Sequence, residues 1–214
     1  MVRRALLALS MAFLSGGALM TLEIVGGRII AAKFGSHVFV WGGVIGIFMG
    51  SLSLGYYLGG RFADKLPRLL PMGALSVLAG VGVALVPLVA GTLCGFISAT
   101  FFTSSPELSN RWNPLFSIIL IFGAPSILLG SITPFTIRLS VKDLSTMGKV
   151  AARAYAINAL GSIAGTIVTA FILMSYIGNT SILISTGITL IVTGIGVMAA
   201  DYIPSGRGED AKGT

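Results

Sequence analysis

Glu23 is the one acidic residue that lies within an apolar run of this sequence, in the segment MTLEIV at residues 20–25. A charged group in an apolar environment is costly, so it usually faces a partner or a water-filled cavity. Two interpretations are open. Glu23 takes part in a substrate or proton site, or it forms a salt bridge with Arg28 or extends to the outer interface of a membrane.

A second set of polar residues has the spacing of one helix face. Tyr155, Asn158, Ser162 and Thr166 are three or four residues apart, which places them on one side of an α-helix. Their side chains either join neighbouring helices by hydrogen bonds, or Tyr155 and Asn158 line a polar cavity. Both interpretations stay open at the level of sequence.

Two prolines lie within the fourth apolar run, in the segments Gly123–Ser126 and Gly130–Pro134. Each proline removes a backbone donor and frees a carbonyl, and interrupted helices surround the binding sites of some transporters. Ser126 directly follows Pro125 and is therefore a candidate substrate-binding residue. A simple kink explains the prolines equally well.

Glycines recur along two of the apolar runs at intervals close to four residues. This spacing allows two membrane helices to approach closely. We therefore predict a role in helix packing for Gly42, Gly46, Gly50, Gly55, Gly59, Gly161 and Gly165.

The composition indicates an all-α integral membrane protein. Of the 214 residues, 55% are hydrophobic and only 10% are charged, whereas soluble domains carry about 25% charged residues. Mean hydropathy is +0.96. The apolar residues form runs near the length of about 20 that crosses roughly 30 Å of hydrocarbon.

These runs predict a bundle of about six transmembrane helices within residues 1–200. The predicted spans are Ala5–Gly27, Val38–Gly60, Met72–Ile97, Leu115–Leu139, Val150–Tyr176 and Ser181–Ala200. Ser98–Pro114 is predicted as the longest outer loop, and residues 201–214 as a polar, disordered tail. The first run resembles a signal peptide, but it continues to Val25, which favours a helix that stays in the membrane.

The basic residues predict that both termini are cytoplasmic and that the chain lies in the cell membrane. With the N-terminus inside, eleven Lys and Arg residues fall on the inner side and three, Arg28, Lys33 and Arg111, on the outer side. The inner basic residues would meet anionic lipid. Nucleic acid is not an expected partner, since no basic stripe with interleaved aromatic residues is present.

The inventory of reactive side chains is too small for most catalysis. The single cysteine, Cys94, can form no internal disulfide, and it lacks metal-ligand spacing with the single histidine, His37. One intramembrane carboxylate and one distant histidine supply neither an activated nucleophile nor a metal centre. We predict no enzyme activity, no metal and no cofactor.

Three stretches, taken in order, resemble the membrane domain of a known family. They are residues 14–36 around Glu23 and Arg28, residues 50–65, and residues 124–165 around Tyr155 and Asn158. The family is the transmembrane spermidine-synthase-like proteins, also called fused major-facilitator/spermidine-synthase proteins, and the resemblance covers roughly residues 12–178. Leu22 and Gly27 depart from it, because the family usually has an aromatic residue and a tryptophan near these positions.

The resemblance implies a membrane domain beside an aminopropyltransferase, which usually follows in the same chain of that family. No nucleotide-binding fold and no acidic polyamine motif occur in residues 1–214, so we expect any synthase to be a separate cytosolic partner. One predicted function is transport of a polyamine or another cationic or amphiphilic solute, by a homodimer. The alternative is a non-catalytic membrane anchor or scaffold. The candidate substrate-binding residues are Glu23, Arg28, Tyr155, Asn158, Ser162 and Ser126.

Overall fold

A computed structural model describes residues 2–141 and 143–202 of the chain. This part contains six helices that are long and apolar enough to cross a membrane, and no strand. Their bounds are α1 Val2–Phe34, α2 Val38–Lys65, α3 Leu69–Thr100, α4 Pro106–Ser140, α5 Met147–Tyr176 and α6 Asn179–Tyr202. The prediction of an all-α chain with six candidate transmembrane helices is confirmed.

The helices are longer than the apolar runs, so the connections between them are short. α3 continues to Thr100 and α4 begins at Pro106, and the prediction of a long outer loop at Ser98–Pro114 is therefore wrong. Proline suits the first helical position because its missing N–H would have no partner there. α1 likewise runs past Arg28 and ends at Phe34. The next residue is Gly35, whose φ of +89° only glycine adopts readily.

α4 is one continuous helix despite its prolines. Pro114, Pro125 and Pro134 all lie inside it, so the helix is not interrupted at the last two, which was one of the two interpretations of these prolines. α4 packs against α1, α2 and α3. Enclosure by three neighbouring helices allows a membrane helix to keep its geometry where proline removes a hydrogen bond.

The bundle is built around the contact between α1 and α4. α2 packs mainly on α4, and α5 packs mainly on α1. α3 lies between α4 and α6, and α6 also contacts α1. The side chains enclosed between these helices are large and apolar, as Leu22, Phe48, Phe122 and Phe135 show, each no more than 2% exposed.

Two ion pairs show which helix ends lie together. Arg4 pairs with Asp201 at 3.4 Å, and Arg138 pairs with Asp64 at 3.2 Å. Arg4 and Arg138 also line one cavity. The start of α1 and the ends of α2, α4 and α6 therefore share one face of the bundle, which we call the basic face. The described basic residues near it are Arg3, Arg4, Arg61, Lys65, Arg68, Arg138, Lys149 and Arg153.

The opposite face has fewer basic residues, with Arg28, Lys33 and Arg111 near it. Lys142, Arg207 and Lys212, which also entered the orientation prediction, lie outside the described residues. The same is true of residues 203–214 of the predicted tail, whereas Asp201 is still part of α6.

The predicted packing glycines fall into two groups. Gly55 and Gly59 face the backbone of α4, and Gly161 and Gly165 face the backbone of α1. The prediction needs correction for the other three glycines, because a β-carbon added to them would meet no atom within 4 Å. These three lie on the exposed side of α2: Gly42, Gly46 and Gly50.

Candidate functional site

Glu23 lies on a face of α1 that has α2 on one side and α5 on the other. A β-carbon added at Gly27 would stand 3.0 Å from Cζ3 of Trp41 in α2. A β-carbon added at Gly16 would stand 2.9 Å from the hydroxyl oxygen of Ser162 in α5. Gly16 and Gly27 are seven and four residues from Glu23, so the three positions share one helix face.

Glu23 is partly buried and has no ion pair or hydrogen bond with any described residue. The salt bridge to Arg28, one of the two interpretations of the sequence, is absent. Five residues correspond to a rotation of about 140° around a helix, so Arg28 lies on another side of α1, where it is exposed. The structure therefore does not bring these two predicted site residues together.

α2 and α5 both lie against the Glu23 face of α1, and we call the space between them the α2–α5 cleft. In the described residues, α2 and α5 pack on α4 and α1 but hardly on one another. Tyr56 of α2 and Tyr155 of α5 make the ring contact between them, with centroids 6.1 Å apart and planes at 84°. This tyrosine pair lies in the half of the bundle near the basic face, and Glu23 lies in the other half.

Asn158 connects α5 to α1 between these two levels. Its Nδ2 donates hydrogen bonds to the carbonyl oxygen of Ala12 at 2.9 Å and to the hydroxyl of Ser15 at 3.4 Å. Ser15 is 1% exposed. Of the polar α5 face, Asn158 and Ser162 therefore meet α1, while Tyr155 meets α2. Thr166 donates to the carbonyl of Ser162 within its own helix, at 2.9 Å.

Ser126 belongs to a different interface. It lies one turn after Phe122, whose ring packs on Gly26 of α1, so it is placed between α1 and α4. Ser126 is 1% exposed, and its hydroxyl has no hydrogen-bond partner among the described residues. Thr133 of α4 has the same properties. Ser126 is thus separated from the polar face of α5 by α1.

A π-helical segment, Val168–Leu173, lies within α5 and was not predicted. Its buried Thr169 shares a hydrogen bond of 2.8 Å with Thr21 of α1. A cavity of about 330 Å³ adjoins this pair between α1, α5 and α6. Segments of π-helix are frequent at functional sites. Nothing in the residue pattern distinguishes this one from ordinary helix.

Glu23 is the one acidic side chain of the site, and a single carboxylate limits which ligands the site can bind. Divalent calcium takes six to eight oxygen ligands, and the described residues hold no group of three His, Cys, Asp or Glu side chains close enough to bind a metal ion. A single carboxylate flanked by helix surfaces fits an organic ammonium group or a proton better.

Sequence reasoning missed Tyr56, Ser15 and Thr21. Tyr56 is half of a Tyr-Tyr pair that follows a glycine-rich helix stretch, and its only signal was that aromatic doublet. Ser15 and Thr21 lie in an apolar run where small polar residues are common in membrane helices.

No protein-family model, no curated protein and no solved structure matches the chain. The resemblance to the spermidine-synthase-like membrane proteins, and the partner it implies, stay predictions. The function is therefore inferred from the residues of the site.

Proposed function

We propose that this chain is a transporter-like protein of the cell membrane that accepts a cationic or amphiphilic small solute, such as a polyamine. The observation that carries the proposal is Glu23, a carboxylate within a candidate membrane span that has no described partner. An unpaired charge at such a position is costly. An ammonium group bound at Glu23 would offset that cost, which is the reason to assign the solute a positive charge.

The α2–α5 cleft supports the same proposal. Glu23 lies on the α1 face between these two helices. The rings of Tyr56 and Tyr155 meet about 15–20 Å closer to the basic face, by the helical rise of about 1.5 Å per residue. Aromatic rings attract ammonium groups. A cation that leaves Glu23 would therefore meet a second favourable surface on its way to the basic face.

The packing of α5 supports a way for the cleft to widen. α5 contacts mainly α1, through Gly161 and Gly165, and its outer side is exposed, with Phe171 at 76% and Tyr176 at 83%. A helix held mainly by one neighbour can tilt at the cost of few contacts with the others. Separation of Tyr155 from Tyr56 would open the cleft toward the basic face. We assign this face to the cytoplasm because it carries most of the basic residues.

The second candidate function is a non-catalytic anchor or scaffold for a separate cytosolic enzyme of the synthase-like type. The basic face favours it, since its exposed arginines and lysines could contact an acidic partner. A scaffold has no use for an unpaired intramembrane carboxylate, however, and would be expected to hold Glu23 in an ion pair. For this reason we place transport by a dimer first.

The test is uptake of labelled spermidine and putrescine into liposomes that contain the purified full chain. We expect Glu23→Gln, which keeps the shape of the side chain and removes its charge, to lower the initial rate at least about tenfold. The reason is that a hydrogen bond to a charged group contributes about 1.5–3 kcal/mol, and about 1.4 kcal/mol corresponds to a factor of ten.

Glu107→Gln is the matched control. Glu107 is also a carboxylate in the half of the bundle away from the basic face, but its side chain is 77% exposed and pairs with Arg111 at 2.6 Å. The initial uptake rate of the Glu107→Gln variant is expected to equal that of wild type. Equal rates for wild type and Glu23→Gln would remove Glu23 from the site. Wild-type liposomes that take up neither amine would favour the scaffold.

A further inference from the structure

Two neighbouring cavities at the basic face share the side chain of Arg4. The first has a volume of about 490 Å³, and its polar lining residues are Arg4, Arg138 and Ser140. The second has a volume of about 450 Å³, with Arg4, Arg68 and Asp201 in its lining. We call the first one the Arg4–Arg138 cavity. It has no part in the proposed cation site, which lies in the other half of the bundle.

The two guanidinium groups of this cavity keep most of their donors available. The Nε of Arg138 lies 3.2 Å from Oδ1 of Asp64, and the Nη2 of Arg4 lies 3.4 Å from Oδ1 of Asp201. A guanidinium has five N–H donors. Arg68 of the adjoining cavity has no ion pair within residues 2–141 and 143–202. Positive charge therefore exceeds negative charge around Arg4.

Ser140 adds a neutral donor to the same cavity. It is the last residue of α4, and its hydroxyl oxygen is buried without a hydrogen-bond partner among the described residues. A buried hydroxyl without a partner is unfavourable. Two guanidinium groups and a hydroxyl are the donors that proteins use to bind phosphate oxygens.

The depth of the cavity indicates where such a phosphate comes from. Arg4 lies in the first turn of α1, and Arg138 in the last turn of α4. If these helices cross a bilayer, their ends lie at the level of the lipid headgroups. The remaining lining of the cavity is apolar, with Ala5, Leu139 and Val141, which suits the glycerol and first acyl carbons of a lipid.

We propose that the Arg4–Arg138 cavity binds a phosphate group, and that an anionic phospholipid of the leaflet at the basic face supplies it. The guanidinium groups of Arg4 and Arg138 hold the phosphate oxygens, and Ser140 donates a third hydrogen bond. The site is specific, in contrast to general attraction between a basic face and a charged bilayer.

The test measures binding of dioleoylphosphatidylglycerol to the full chain in neutral detergent, by native mass spectrometry at several lipid concentrations. Wild type is expected to bind it in preference to dioleoylphosphatidylcholine. Arg4→Gln and Arg138→Gln are each expected to weaken binding about tenfold, because each removes charge-assisted hydrogen bonds. Arg138→Lys keeps the charge but not the planar fork, and is expected to fall between Arg138→Gln and wild type.

Arg153→Gln is the matched control. Arg153 is an exposed arginine near the same face and lines neither cavity, so its removal changes the net charge equally. Binding by Arg153→Gln is expected to equal that of wild type. If it falls as far as binding by Arg4→Gln, attraction is general and the specific site is overturned.

Ser140→Ala keeps the test decisive should an arginine variant fail to fold, since it leaves both ion pairs in place. Unchanged lipid affinity in Ser140→Ala would count against the site. A competition arm with inorganic phosphate separates the two sources of phosphate. Displacement of the lipid by millimolar phosphate would overturn the lipid assignment in favour of a soluble ligand, whereas retention of the lipid supports the proposal.

Discussion

The α1–α5 pair and the α3–α6 pair are built alike at the backbone. In α1–α5, Gly17 lies against Gly161 and Gly165. In α3–α6, Gly73 lies against Gly194, and a β-carbon added at Gly80 would stand 2.6 Å from the carbonyl oxygen of Gly187. Small residues let membrane helices approach this closely. Close glycine packing is therefore no sign of function in this bundle, since it occurs in both pairs.

The two pairs differ in their polar groups and surroundings. α1–α5 has the bonds of Asn158 to Ala12 and of Thr21 to Thr169, and Glu23 lies on the adjoining face of α1. In α3–α6 the described interhelical side-chain bond runs from the hydroxyl of Ser76 to the carbonyl of Leu190, at 2.9 Å. α3 is held between α4 and α6. This difference is the reason why we assign a structural role to α3–α6 and place the proposed site at α1–α5.

The largest expected effect tests what the two pairs share. Gly161→Ala and Gly80→Ala each place a methyl group against the backbone of the partner helix. Overpacking of this kind costs about 1–3 kcal/mol, so both variants should lose that much free energy of unfolding, measured by SDS titration in mixed micelles. Gly42→Ala is the control, since its methyl group meets open space, and it should change stability by less than about 1 kcal/mol. An equal loss in Gly42→Ala would mean that the exposed side of α2 is packed.

An intermediate effect tests what separates the pairs. Asn158→Ala and Ser76→Ala each remove a hydrogen bond to a carbonyl of the neighbouring helix. Interhelical hydrogen bonds in membranes contribute about 0.6 kcal/mol on average and up to about 1.7, so both variants should lose stability within that range. The amine uptake rate should fall in Asn158→Ala alone. A similar fall in Ser76→Ala would remove the distinction between the pairs.

The smallest effect concerns the π-helical segment. Thr169→Val removes the hydroxyl bonded to Thr21, which keeps its bond to the carbonyl of Gly17 at 2.9 Å. We expect a loss of about 0.6 kcal/mol and faster hydrogen exchange within residues 168–173. Thr166→Val is the control, because that hydroxyl bonds only within α5 among the described residues. Identical exchange in both variants would show that Thr21 does not hold the segment.

Helix bounds were underestimated from sequence for a physical reason. An apolar run reports the length of chain that lies in hydrocarbon, whereas a helix continues into the polar interface wherever its backbone bonds can still form. Arg28 and Lys33 in α1 and Glu107 and Arg111 in α4 belong to such extensions. A hydropathy pattern does not indicate these polar extensions of the helices.

The glycine prediction shows the limit of spacing. Residues four apart share a helix face, so Gly42, Gly46 and Gly50 were correctly grouped with one another, but spacing does not say which face meets a partner. The glycines of α3 and α6 that do pack, including Gly80 and Gly187, were not selected. Ser76 and Leu190, which join these two helices, are 114 residues apart in sequence, so no local pattern reports their contact.

The sequence by itself determined the six helices and the position of Glu23 within one of them. Both follow from local composition, because each candidate span must satisfy its own backbone and be apolar enough for hydrocarbon. Only the tertiary structure decided that Glu23 has no described partner beside the α2–α5 cleft, and that Arg4, Arg138 and Ser140 line one cavity. These depend on how helices rotate and pack against one another, which is set by contacts between residues far apart in the chain.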